Sequence, residues 1–288
     1  MSAKQRVGGP VVKTLYRLYK LFGYHSVYYS LYLVVLYYFL FAKNVRIALK
    51  DYYKHLGVAF SNKNFFKHLF NYAIATSDRF ISKAHPEHYD FINQNRELLL
   101  SEIQNGAILL SNHFGGWAVA SNYFNASNVK VNVVMNEAMI QNAKEFESMI
   151  SKKNEACVQI IDLSKGNIAT SIAIGNALLN NESVAFMGDR ALNEKYEHSV
   201  NFFNEPANFN KNPFLIAYKT QKPIMVIFVV YKKIRTYEMV FEKIELDYTL
   251  RENEAINKGV EQYVHILSDM LKQHPDQWFN FYKFWEKK

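Results

Sequence analysis

The residue best suited to move a proton in this chain is the histidine of Asn112-His113-Phe114-Gly115-Gly116-Trp117. Ala107 to Ser111, just upstream, is an apolar run of strand length, and Ala118 to Phe124, just downstream, suits the first turns of a helix. A histidine between a buried strand and a helix N-terminus faces a cleft with backbone N–H groups beside it, as base-assisted chemistry requires. Phe114 and Trp117 would keep such a site dry, and the glycine pair lets the backbone come close to a ligand. Taken alone, the same hexapeptide reads equally well as a polar turn with a structural histidine.

Three further segments follow in order. Val184-Ala185-Phe186-Met187-Gly188-Asp189-Arg190 is a buried strand ending in an acidic-basic pair. Phe202-Phe203 comes next, then Asn212-Pro213-Phe214-Leu215-Ile216-Ala217, and Pro275-Asp276-Gln277-Trp278-Phe279 lies near the end. Together these motifs resemble the late acyltransferases of lipid A biosynthesis (lauroyl/myristoyl type), a branch of the lysophospholipid acyltransferase superfamily. That family carries Ser-x-His-Phe-Gly-Asn-Trp-Glu, then Gly-Asp-Arg, Phe-Phe-Gly and a terminal Pro-x-Gln-Trp. The resemblance runs from the N-terminal apolar helix to Trp285. It implies a lipopolysaccharide-pathway enzyme on the cytoplasmic face of the inner membrane. The reaction implied moves an acyl chain from acyl carrier protein to a lipid A precursor or related lipid acceptor, without a cofactor. The ending Trp278 to Trp285 also resembles members with other acyl-lipid or aryl-polyene acceptors.

One departure is chemical. The family's core is His-x4-Asp/Glu, and here the fifth residue after His113 is Ala118. A literal His-x4-Asp stands at His85 to Asp90, but it follows no buried strand, and Pro86 reads as the start of a helix from Glu87 to Leu100.

Transfer from a thioester needs a base for the acceptor proton, donors for the tetrahedral oxyanion and a dry acyl slot. His113 is the expected base, and the backbone of Gly115 and Gly116 the expected oxyanion donor. Asn112 and Trp117 join them as candidate substrate-binding residues. Arg190 has the planar fork for an anionic headgroup or a phosphopantetheine phosphate. Asp189 either holds Arg190 or orients His113 in place of the missing acid; Glu137 is a second surrogate, or a helix N-terminal acid. In a serine-protease triad, neutralising the orienting acid costs on the order of ten-thousandfold in turnover while residual catalysis persists. Two readings follow from Ala118: a working enzyme with a displaced carboxylate, or a weakened relative that binds lipid or acyl carrier.

Composition narrows the classes. No Cys pair, His-Glu-x-x-His or calcium-loop spacing occurs, so no metal site is expected, and no phosphate-loop or dinucleotide fingerprint is present. The single cysteine, Cys157, reads as a small core residue in a reducing compartment. The net charge of +8 suits an anionic membrane, an acidic carrier protein or nucleic acid. Its distribution decides. Lys4, Arg6, Lys13, Arg17 and Lys20 precede the uncharged run Ser26 to Ala42, and Lys43, Arg46 and Lys50 follow it. A basic-apolar-basic segment rich in tyrosine fits a membrane surface, and no nucleic-acid module is visible. Positive charge on both flanks favours an in-plane anchor over a clean span. Residues 1–45 are therefore expected to be the anchor, and residues 46–288 the acyltransferase domain.

The rest of the chain alternates apolar runs with amphipathic stretches. Strands are expected at Ala107–Ser111, Val129–Met135, Val158–Leu163, Ser183–Met187, Pro223–Val230 and Tyr237–Ile244. Helices are expected at Val45–Phe60, Asn64–Ser77, Trp117–Tyr123, Ala138–Lys153, Asn167–Leu179, Pro213–Thr220 and Glu252–Gln273. The pattern predicts an α/β fold: a mixed, largely parallel central sheet flanked by helices, antiparallel near Val226–Ile244. In such a sheet the crevice lies beyond the carboxyl ends of the strands, where His113 and Asp189-Arg190 both fall.

Overall fold

The computed structural model describes residues 9–136, 157–191 and 194–285. The described residues open with three helices: α1 (Gly9–Phe41), α2 (Lys43–His55) and α3 (Asn62–Ala84). Gly23, at φ 75° and ψ −177°, kinks α1. Beyond the kink one face of α1 is buried through Tyr24, Val27, Leu31 and Val35, while Tyr29, Leu33, Tyr37, Leu40 and Phe41 point outward. The helix rests on α3, where the partly buried Tyr28 and the more exposed Tyr32 meet the Phe70 ring at 5.2 and 4.4 Å between centroids. Among the described residues no single helix is long and apolar enough to cross a membrane. Thr14–Phe41 and Lys43–His55 pass that test only as a pair bent by 85°.

A seven-stranded sheet follows: β1 (Asp90–Gln94), β2 (Ile108–Ser111), β3 (Val131–Met135), β4 (Val158–Asp162), β5 (Ser183–Met187), β8 (Ile224–Lys233) and β9 (Thr236–Ile244). Its order is β1-β9-β8-β2-β5-β3-β4. Every neighbouring pair is parallel except β8–β9, whose register sets Val226 against Glu242. The helices among and after the strands are α4 (Arg96–Ile103), α5 (Ala120–Ala126), α6 (Asn167–Leu179), α7 (Asn212–Thr220) and α8 (Glu252–Gln273). A separate antiparallel hairpin is formed by β6 (Glu197–Phe202) and β7 (Glu205–Asn210).

Strand β8 shows why the central runs are continuously apolar. Ile224, Val226, Phe228 and Val230 enter one core with Val260, Tyr263 and Leu267 of α8. Met225, Ile227 and Val229 enter a second core with Tyr24, Val27, Leu99 and Ile103. A strand covered on both faces needs apolar side chains at every position. The α/β class, the largely parallel sheet and the antiparallel β8–β9 end all agree with the sequence reading.

Four local expectations need correction. Glu87 to Leu100 is not one helix: Pro86–His88 forms a single 3₁₀ turn, β1 follows, and α4 begins only at Arg96. Asn95, at φ 59°, makes the break between strand and helix. The hairpin β6–β7 was not anticipated, being mostly polar. Helix α5 begins at Ala120, later than Trp117, because Gly115 at φ 51° opens a run of turns first. Cys157 is half-buried, its Sγ 3.4 Å from Asn128 Oδ1 at the foot of β4, outside the core. The helix expected at Ala138–Lys153, and Glu137 with it, lie outside the described residues.

Candidate active site

Strands β2 and β5 are parallel neighbours with Ser111 opposite Met187, so both carboxyl ends reach the same sheet edge. The ladder continues one step further, the Gly188 N–H donating to the Ser111 carbonyl at 2.8 Å. His113 and Asp189 each lie two residues past their strand, and this shared register brings them together across 76 residues of chain. His113 Nδ1 lies 3.0 Å from Asp189 Oδ1 and 3.1 Å from Oδ2. The His113 backbone N–H also donates to Oδ2, at 3.2 Å. A third donor is the indole Nε1 of Trp278, again 3.2 Å from Oδ2.

Asp189 is fully buried, while the His113 side chain keeps 20% of its surface open. Burial alone would raise the Asp189 carboxyl pKa. The His113 charge and hydrogen bonds, with Arg190 alongside, outweigh it and bring the value down to about 2. An ionised carboxylate only accepts, so Nδ1 carries a proton, and whenever the ring is neutral its lone pair falls on Nε2. That is the tautomer a general base needs.

The segment after α8 closes this arrangement. The Phe279 N–H donates to the His113 carbonyl at 2.7 Å, and the Gly115 N–H donates to the Gln277 carbonyl at 2.8 Å. The Gln277 side chain grips Tyr231 at both ends, accepting from its N–H at 2.9 Å and donating to its carbonyl at 3.0 Å. His68 of α3, fully buried, donates from Nε2 to the Trp278 carbonyl at 2.9 Å. Burial pushes the His68 imidazole down to about 4, against the pull of that bond and of Asp276. Trp117 leans over the site, its ring centroid 5.9 Å from that of His113 and 5.7 Å from that of Phe279.

The two glycines act differently from expectation. The Gly116 N–H donates to the Val229 carbonyl at 2.7 Å, and the Gly115 N–H is taken by Gln277. Neither amide is left to meet an oxyanion in this conformation. Their role is close approach: a Cβ on Gly115 would stand 2.0 Å from the Val229 oxygen, and one on Gly116 would stand 2.3 Å from the Tyr237 ring. Asn112 is likewise buried, at 1% exposure, near the hydroxyl of Tyr263, with neither amide atom of its side chain hydrogen-bonded among the described residues.

Arg190 is half-buried beside the pair. Its Nη2 donates to the Phe279 carbonyl at 3.0 Å and its guanidinium lies 5.1 Å from the Tyr282 ring centroid, with Nε buried and unpaired. Asp189 therefore hydrogen-bonds to His113, while the hydrogen bond from Arg190 goes to Phe279. Ala118 is half-buried within the turn, and the Nδ1 that an orienting acid serves is already occupied. The sequence match at His85 to Asp90 is a coincidence of spacing: His85 turns to Glu87, and Asp90 opens β1. A cavity of about 340 Å³ lined by Tyr53, Lys67, Lys232 and His274 lies behind the closing segment, and neither His113 nor Asp189 lines it.

Trp278, Phe279 and His68 have roles that sequence reasoning did not assign. The terminal motif drew attention to the first two, but nothing in its spacing says that an indole 89 residues away will bind Asp189. A family model described as bacterial lipid A biosynthesis acyltransferase matches residues 58–287. No curated protein matches the chain significantly.

Proposed function

Because the chain belongs to the bacterial lipid A biosynthesis acyltransferase family, we propose that His113 and Asp189 are its catalytic pair, with the acid displaced from position 118 to the end of β5. The observation that carries this is the His113–Asp189 contact of 3.0 Å, buried on the carboxylate side and partly open on the imidazole side. In the proposed reaction an acyl thioester on acyl carrier protein is attacked by a hydroxyl of a lipid A precursor or related glycolipid. His113 Nε2 takes the hydroxyl proton as the oxygen bonds to the thioester carbonyl carbon. Collapse of the tetrahedral intermediate breaks the carbon–sulfur bond, and the imidazolium returns the proton to the departing sulfur. Asp189 steadies that imidazolium through Nδ1.

Arg190, held against Phe279 and Tyr282, supplies fixed positive charge for the oxyanion or for an acceptor phosphate. The outward apolar face of α1, with basic residues at both ends of the run, suits the cytoplasmic leaflet of the inner membrane. The occupied Nδ1 also argues against reading Ala118 as the mark of a lapsed enzyme. The test is transfer from acyl carrier protein to a lipid A precursor by the purified full chain. His113→Ala is expected to abolish it, and transfer surviving that change would put the base elsewhere.

A further inference from the structure

Asp78 of α3 is fully buried, yet three tyrosine hydroxyls from three separate parts of the fold donate to it. Tyr24, the residue after the α1 kink, reaches Oδ1 at 2.8 Å. Tyr89, just before β1, reaches the same oxygen at 2.9 Å. Tyr237 of β9 reaches Oδ2 at 2.6 Å. Arg235 adds positive charge nearby, its guanidinium 5.4 Å from the Tyr24 ring centroid. Burial pushes the Asp78 carboxyl up to about 6, although the hydroxyls and Arg235 pull it back.

A buried carboxylate is a costly way to hold three elements together, since well-packed apolar residues often stabilise as well or better. What the knot adds is direction. The Tyr237 ring stands directly under Gly116, so close that a Cβ there would fall 2.3 Å from Cε1. The Gly116 N–H is pinned to the Val229 carbonyl. The ring is therefore the floor of the turn that aims His113, and its hydroxyl is tied through Asp78 to the helix with the exposed apolar face.

We propose that Asp78 is a positioning residue: through Tyr237 it fixes the His113 turn, and through Tyr24 it couples the seating of α1 to that turn. A detached or displaced α1 then loosens the site. The kinetic part of this rests on the acyl-transfer reading above; the structural part does not.

The test uses the full chain in detergent or nanodiscs with Asp78→Asn, Tyr237→Phe and Tyr24→Phe. Tyr24→Phe keeps the ring and lies far from the chemistry in sequence, so it remains informative if Asp78→Asn fails to fold. Two readouts are taken: kcat against KM for acyl transfer, and amide hydrogen exchange resolved by peptide. The expected result for Tyr24→Phe is a fall in kcat of about tenfold with KM nearly unchanged, since small misplacements at a reacting centre cost rate. Exchange should rise in the peptide containing residues 113–117 and stay unchanged in β3 and β4. Unaltered exchange at 113–117 in Tyr24→Phe overturns the coupling, as does a rise spread evenly over the chain, which marks a stability effect alone. If the parent shows no acyl transfer, the proposed reaction fails while the exchange result still decides the coupling.

Discussion

Replacing Asp189 by asparagine separates the work of its charge from the work of its shape. The carboxylate accepts three kinds of donor: the imidazole Nδ1–H, the His113 backbone N–H and the Trp278 indole N–H. An amide has one acceptor oxygen and one donor nitrogen. If the oxygen serves Trp278 and the backbone, the NH₂ faces Nδ1 and forces the tautomer whose Nε2 already bears hydrogen. If it serves Nδ1, the NH₂ faces two other donors. The drop of the Asp189 carboxyl from 3.8 to about 2 corresponds to roughly 2.5 kcal/mol in favour of its charged form. Losing that charge beside a developing imidazolium slows transfer by about two orders of magnitude, and the wrong tautomer extends the loss toward about ten-thousandfold. Urea unfolding should show a stability loss of about 2 kcal/mol at neutral pH. The sign follows from the depressed value. Asp189 contributes fully above its ordinary carboxylate range and loses its contribution as pH falls through about 2. The stability gap between parent and variant should therefore close on acidification. Asp189→Asn with parental turnover, or a gap that widens at low pH, would refute this account of the pair.

Three other outcomes follow from the same structure. Ala118→Glu should give no gain in transfer rate, because Nδ1 is already held; a large gain would show Asp189 to be a poor substitute. Gly116→Ala forces a methyl into the Tyr237 ring and should lower the thermal midpoint and activity together, at a cost of about 1–3 kcal/mol; a neutral result would mean the turn is looser than described. His68, held near 4 when folded against an ordinary 6.5, makes the fold less stable as pH falls between those values, because the unfolded chain takes up the proton first. By pH 5 the loss is roughly 2 kcal/mol, and it should vanish from the pH profile of a His68→Gln variant measured by urea unfolding.

The legible parts of the fold were those whose signal is local. Ser183–Met187, Asn167–Leu179 and Glu252–Gln273 were bounded correctly because strand runs and amphipathic periods are written within a few residues. Strand β1 was missed because Asp-Phe-Ile-Asn-Gln carries only two apolar residues and borrows its order from β9 along the sheet edge. The β6–β7 turn places Phe203 at φ 52° and Asn204 at φ 67°, and phenylalanine gives no warning of a left-handed position. At the site, His113 and Asp189 were legible as residues that follow strands. Their pairing was one of two choices, decided only by the adjacency of β2 and β5 in the sheet. Tyr24, Val27, Leu31 and Val35 belong to the cores, so α1 is packed into the fold as well as facing outward.

Where the closing segment lies in the chain has a consequence for synthesis. His113 is translated early, but its carbonyl waits for the Phe279 amide, and Asp189 waits for the Trp278 indole. Translation therefore delivers the outward apolar face of α1 first and completes the contacts around His113 and Asp189 only after Phe279 has left the ribosome. The outward apolar face of α1 is thus complete long before the contacts around His113 are. A stop codon anywhere before Trp278 would leave His113 without its lock, however much of the sheet had formed.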